Sequence, residues 1–378
     1  IGTGTFYNCT GLSSVVIGEN VSSIGENAFA NCGAESVTIP ESVTSIGTYS
    51  FENMNNLSKL NFNANISTDF TTSSHIFRGS GVDSDSGINV IFGEDVTRVP
   101  AYLFYEESSD DVPNITSVTL SENITEIGDY SFYNSVFMEE LYVNSTNLND
   151  FVAVNFVFVN IGDNTDGVSV VFGEGVERVP ASMFLGLVNN LNIVSVTFSS
   201  TIQEIGESAF IMCRSITSMN LGDIDDLTTI GSIAFYNCSG LTNITIPSNV
   251  SSIGEMAFAN IGNLNTLNIN ARSISDFASD DNVFMDSGTN EGVSISVIFG
   301  EGVISVPAYL FFVSNSTSVT NPTVPNISSI TFPSTIETIG RSAFRYCGAS
   351  NLTIPEGAVS SRFTFEDYAF ADMSNLEI

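Results

Sequence analysis

The chain has 378 residues, 43% of them hydrophobic and only 13% charged, a composition that suits a folded chain and argues against disorder. Its 42 acids against 9 bases leave a formal charge of −33, and Lys59 is the only lysine, so the imbalance reflects missing base. A field of that sign repels phosphate backbones and anionic lipid heads, which excludes nucleic-acid binding and polybasic membrane docking. No run of 18 or more apolar residues is present, so no membrane insertion of this segment is expected.

Along the chain one phrase recurs, I-G-x-x-x-F. It begins at Ile1, Ile24, Ile46 and Ile127, and returns at Ile205, Ile230, Ile253 and Ile339. A variant puts V-P-A in the same slot at Val99, Val179 and Val306, and Phe365 to Phe370 keeps the spacing without the glycine. The remaining gaps hold D-F-x6-F, at Asp69-Phe70, Asp150-Phe151 and Asp276-Phe277. These fifteen landmarks, from Ile1 to Phe365, have a mean period of 26 residues, within the range of leucine-rich repeats.

Each turn also carries one alternating apolar run of strand type. Examples in order are Val15-x-Ile17, Leu57-x-x-Leu60-x-Phe62, Ile115-x-x-Val118-x-Leu120, Leu241-x-x-Ile244-x-Ile246 and Ile330-x-Phe332. Pro40, Pro247, Pro333 and Pro355 follow or close strands, where a missing donor ends the ladder. One such strand cannot bury its own apolar face. Stacked turns build a parallel sheet and a continuous core. The rest of each turn reads as a bend and a short helical or 3-10 piece, with glycine allowing the bend and phenylalanine dropping inward. Asn8, Asn31, Asn53, Asn134, Asn237 and Asn260 share one register. Asn tolerates left-handed backbone, and a stacked Asn ladder satisfying buried carbonyls is expected.

The string Ile24-Gly25-Glu26-Asn27-Ala28-Phe29-Ala30-Asn31-Cys32, followed by Val37-Thr38-Ile39-Pro40 and Val43-Thr44-Ser45-Ile46-Gly47, resembles the BspA-like (Treponema-type) leucine-rich repeats. The pattern recurs across essentially the whole chain. The resemblance implies a secreted or surface-anchored protein of a bacterium or protist, acting in adhesion. The D-F and V-P-A turns and the near absence of lysine depart from that family.

The expected architecture is one uncapped leucine-rich solenoid over residues 1–378. Turn types run D-F, V-P-A, I-G three times, in modules at about 57–132, 138–210 and 264–344. The motif is already under way at Ile1 and a strand is starting at Leu376-Glu377-Ile378. Solenoids need polar caps, so a segment of a longer chain, or end-to-end stacking of subunits, is expected.

The chemical inventory is thin. Cys9, Cys32, Cys213, Cys238 and Cys347 share one register. The adjacent-turn pairs Cys9–Cys32 and Cys213–Cys238 suit disulfide spacing, and the alternative is a small buried filler. Acidic loops include Asp83 with Asp85 and Asp163 with Asp166. These are weak Ca²⁺ candidates, against the plainer reading as solvated loops. An EF-hand is rejected because Ile88, Val168 and Ile295 stand where its glycine belongs. Thirteen N-glycosylation sequons occur, among them Asn315. Asn20, Asn123 and Asn249 share a register four before the Ile and are the better surface candidates. His75 lies in a polar loop with no nucleophile signature beside it and reads as a surface residue.

No catalytic residue and no resident cofactor is expected. The first functional expectation is an extracellular surface protein that binds proteins or glycans through the outward strand positions Thr38, Thr119, Thr197, Thr245 and Thr331. The alternative is a building block of a fibre, sheath or matrix, with copies of itself as partners. Exposed aromatics clustered on one face would favour the binder.

Overall fold

The computed structural model of the protein describes residues 1–152, 154–185, 191–313, 323–354, 363–373 and 376. Asn315, Pro355 and the closing Glu377-Ile378 lie outside them. The chain falls into two compact units, Ile1–Val176 with Leu185–Thr197 and Glu177–Phe184 with Phe198–Ile378. Each unit is a parallel solenoid of leucine-rich-repeat type.

In the first unit the strands Val15–Val16, Ser36–Ile39, Lys59–Phe62, Ile88–Phe92, Ile115–Leu120, Glu140–Val143, Val168–Phe172 and Ile193–Thr197 lie side by side in chain order. All are parallel. In the second, Asn243–Ile246, Thr266–Ile269, Ile295–Phe299, Ile327–Thr331 and Asn351–Thr353 do the same. Alternation sets the faces. Val37 and Ile39 are fully buried while Ser36 and Thr38 are half-exposed. A second row of two-residue strands carries the landmark aliphatics. Ser23–Ile24 pairs with Ser45–Ile46, and Arg98–Val99 with Glu126–Ile127.

The expected helical piece is not formed. Among the described residues the only helical element is a 3-10 turn at Leu221–Asp223. The reason lies in the hydrogen bonds of the bend. Ala28, Ala30 and Cys32 donate N–H to the carbonyl three residues back. The intervening donors of Asn27, Phe29 and Asn31 reach instead to Thr48, Ser50 and Glu52 of the next coil, at 2.8–3.0 Å. A 3-10 helix would spend every donor within its own turn; here every second donor joins two coils. The chain manages this with left-handed residues. Asn27, Tyr49, His75, Tyr102 and Tyr130 have φ between 47° and 59°, each two positions before a core phenylalanine. Asn31, Asn53 and Asn134 are left-handed two positions after one.

The expected asparagine ladder is therefore a backbone requirement more than a buried network. Asn8 and Asn53 are exposed, and Asn134 is the buried one. Its Nδ2 donates to the Glu106 carbonyl at 2.9 Å, and its Oδ1 accepts from Asn160 at 2.6 Å. Phenylalanine forms the interior ladder. Phe6, Phe29, Phe51 and Phe77 stack at 5.1–5.4 Å. In the second unit Phe184, Phe210, Phe235, Phe258 and Phe284 stack at 5.3–5.5 Å. These separations match the spacing of stacked strands, about 4.8 Å, so rings one coil apart fall into contact.

The three turn types fit one another. In an I-G coil the glycine N–H donates to the aliphatic carbonyl of the coil before, as Gly47 does to Ile24 and Gly128 to Val99, both at 2.8 Å. The backbones are then so close that a Cβ on Gly128 would lie 2.3 Å from the Ala101 nitrogen. A V-P-A coil follows a D-F coil and makes a different joint. Asp69 Oδ1 accepts from the Ala101 N–H at 2.9 Å, and Asp276 Oδ1 from Ala308 at 2.8 Å. Phe70 and Phe277 N–H groups donate to the same two alanines' carbonyls at 3.2 Å. Proline replaces glycine at the one joint that needs no N–H there. Each module also repeats one bulge, after Ile88, Val168 and Ile295, where the opposing strand carries an extra residue.

Candidate binding face of the first unit

The left-handed position before each core phenylalanine points a side chain away from the ladder, and in five successive coils that residue is aromatic. Tyr49, His75, Tyr102, Tyr130 and Phe156 occupy it, all half-buried. Tyr49 stacks on His75 at 5.3 Å, and Tyr102 on Tyr130 at 5.1 Å with an interplanar angle of 11°. Phe156 follows Tyr130 at 5.4 Å. Tyr105 and Tyr133 form a second row, 5.3 Å apart; Tyr105 meets Tyr102 edge-on. Within the stacked pairs Tyr49–His75 and Tyr102–Tyr130 each ring covers one face of its neighbour. Ring edges and phenol hydroxyls are left for solvent.

Beside Tyr102 lies a cleft of about 430 Å³. Asp69, Arg98, Glu126, Asp129, Asp150 and Asn155 line it together with the Tyr102 ring. The Arg98 guanidinium bridges two coils, donating to Asp69 Oδ1 and, at 2.8 Å, to Glu126 Oε1. Burial works against that charge, but the two carboxylates outweigh it and hold the Arg98 pKa above its ordinary value. Asp129 accepts from the neutral Asn155 amide. The walls thus carry four carboxylates and one guanidinium.

His75 is not the simple surface residue expected. Its Nδ1 lies 2.7 Å from Glu106 Oε2, and the Glu106 side chain is only 4% exposed. Next to it Arg78 Nη2 donates to Asp111 Oδ2 at 2.6 Å. Burial pushes the Glu106 carboxyl up to about 6, although His75 and Arg78 favour its charge. Between its ordinary 4.5 and about 6 the folded chain holds a proton that the unfolded chain has released. Stability must therefore fall as pH rises through that window. The expected loss from Glu106 is about 2 kcal/mol. Urea unfolding at the two ends of the window measures it, and Glu106→Gln should lack this increment. An equal fall in both proteins would refute the assignment.

The cysteine pairs are present as free thiols. Cys32 Sγ donates to the Phe6 carbonyl at 3.0 Å, Cys213 to Phe184 at 3.4 Å and Cys238 to Phe210 at 3.1 Å. Each thiol thus satisfies a ladder phenylalanine's backbone on the previous coil. Burial pushes the thiols of Cys213, Cys238 and Cys347 up, so they stay protonated. The Ca²⁺ candidates Asp83, Asp85, Asp163 and Asp166 are exposed. Among the described residues no three His, Cys, Asp or Glu side chains converge to hold an ion. Asp83 instead accepts from Asn55 Nδ2 at 3.2 Å across coils.

Asn20, Asn123 and Asn249 are exposed. Asn123 and Asn249 also donate Nδ2 to the Glu94 and Asp225 carbonyls of the preceding coil, at 2.8 and 2.6 Å. The outward threonines do face away from the core, but they do not form an array. Register runs Thr38, Asn61, Ile91, Thr119, Tyr142, Val171, Thr197 across the first sheet.

The aromatic stripe and the cleft went unread in the sequence. Their signal was there: T-Y-S-F, S-H-I-F, A-Y-L-F, D-Y-S-F and N-F-V-F place an aromatic two before the core phenylalanine. The backbone at all five of these positions is left-handed.

The family model described as BspA type Leucine rich repeat region matches residues 1–109, 71–160, 155–291 and 280–378, with 6 copies. No curated protein matches the chain significantly. Several solved structures are similar. A leucine-rich repeat protein from Bacteroides ovatus is 21% identical, with 80% of this chain and 73% of that one covered and a TM-score of 0.38. One from Eubacterium ventriosum is 19% identical over 100% and 81%, with a TM-score of 0.38. A leucine-rich cell surface protein from Faecalibacterium prausnitzii is 18% identical over 97% and 79%, with a TM-score of 0.27.

Proposed function

Because this chain belongs to the BspA-type leucine-rich repeat family, we propose that it is a non-catalytic extracellular surface protein that adheres to proteins or glycans through its solenoid surface. The observation that carries the reading is the stripe of half-exposed aromatics, Tyr49 to Phe156 with Tyr105 and Tyr133, beside a cleft on the same unit. Tyrosine gives a large, rigid, amphipathic contact at low entropy cost, because only two side-chain torsions need ordering. Such residues dominate binding surfaces. A ladder of phenylalanines holds them in place, so little ordering is needed on binding. No described helix is long and apolar enough to cross a membrane, and the surface role does not require one of this segment.

Antibody labelling of intact cells that make the protein, viewed by electron microscopy, tests the location. Label on unpermeabilised cells, and competition of cell attachment by added soluble chain, are the expected results. Label only after permeabilisation would overturn the reading. Ordered filaments or sheets built from the chain would replace it with the structural alternative.

A further inference from the structure

The chemistry of the cleft narrows the partner class, resting on the binding reading above. A pyranose ring packs on an open aromatic face, and here one face of each ring in a stacked pair is taken. Tyr102 and Tyr130 lie 5.1 Å apart and nearly parallel, and Tyr49 is covered by His75. The row also presents ring edges and hydroxyls, which suit the amides and polar side chains of a polypeptide. Charge then selects among polypeptides. The cleft sets Asp69, Glu126 and Asp129 against Arg98, in a chain of net charge −33. Arg98 is already engaged by Asp69 and Glu126. Asp129 takes its hydrogen bond from a neutral amide. A sialylated glycan, a phosphorylated segment or an acidic peptide would meet net repulsion, whereas a cation would be steered in. A volume of about 430 Å³ has room for a basic side chain.

We propose that the Tyr102–Tyr133 edge and the adjoining cleft hold a basic, extended polypeptide segment, with one of its Arg or Lys side chains entering the cleft beside Tyr102 and Asp129. The tyrosine edge contacts the segment's backbone and flanking residues. The carboxylates supply the charge complement, so binding weakens as salt rises.

Fluorescence anisotropy with three labelled peptides of one length tests this: four repeats of Arg-Ser-Gly, of Gln-Ser-Gly and of Glu-Ser-Gly. The arginine peptide is expected to bind at low salt and the other two not. Asp129→Asn, which keeps an acceptor for Asn155, should weaken binding by about tenfold, as loss of a central contact does. Tyr102→Phe, which keeps the ring stack, should weaken it less. Asp226→Asn, an exposed acid of the second unit, should change it less than about twofold. Unchanged circular dichroism of the Asp129→Asn protein shows that the fold is kept. Equal losses in the two Asp variants would reduce the effect to diffuse charge and overturn the proposal. So would equal binding of the glutamine peptide, or no binding of the arginine peptide. If the arginine peptide fails while soluble chain still blocks cell attachment, only the basic-segment inference falls. If both fail, the adhesion reading falls with it.

Discussion

Replacing Phe132 by Ala should cost about 3–5 kcal/mol in the first unit, the usual range for emptying a large aromatic site. Phe132 is fully buried. It lies 5.6 Å from both Phe104 and Phe158 and 6.3 Å from the sheet residue Phe92. The hole would therefore open on two coils and on the layer beneath the strands. Stacked repeats are held mainly by nearest-neighbour contacts, so the damage should be local. Amide hydrogen exchange reads it directly. The Tyr130 and Phe132 N–H groups, which bond to Asn155 and Val157 at 2.9 and 3.2 Å, should lose protection first. Phe235→Ala should do the same to the second unit. Unchanged protection around the emptied site would mean that the ladder is not what holds the coils together.

Adding one methyl at Gly128 is expected to be nearly as harmful. A Cβ there would sit 2.3 Å from the Ala101 nitrogen and 2.7 Å from its Cα, both backbone atoms that cannot step aside. The neighbouring coil must move, and with it the 2.8 Å bond from Gly128 N–H to the Val99 carbonyl. Overpacking of this kind costs about 1–3 kcal/mol and more when backbone must shift. Gly18 is the matched control, because a Cβ there meets nothing within 4 Å. Gly18→Ala should stay within about 0.5 kcal/mol of the parent. The contrast is measured by urea denaturation of the two variants. Equal midpoints would show that coil spacing tolerates a side chain at this joint.

The modules illustrate how much of this architecture can be read without coordinates. The order D-F, V-P-A, I-G is visible as repetition, yet its cause is not. Asp69 and Asp276 precede the alanines they cap by 32 residues, and the pairing exists only once the coils stack. The same limit explains the bend. Gly-x-x-x-Phe looks like a helical turn because the donors that leave for the next coil are not written in local spacing. The direction of the Cys32 and Cys213 side chains is equally absent from local spacing, and each Sγ turns to a phenylalanine carbonyl.

Period, strand alternation and the inward phenylalanines were determined by the sequence alone. A repeated apolar residue must be buried somewhere, and only stacking of identical turns can bury all of them. The family likeness follows from the same repeats. Tertiary structure decided which residues face outward together. Tyr49, His75, Tyr102 and Tyr130 are 26 to 28 residues apart in the chain and come together as one surface only through coil stacking and left-handed backbone. Asp69, Arg98, Glu126 and Asp129 converge for the same reason, from three successive coils whose joints hold them at hydrogen-bond distance.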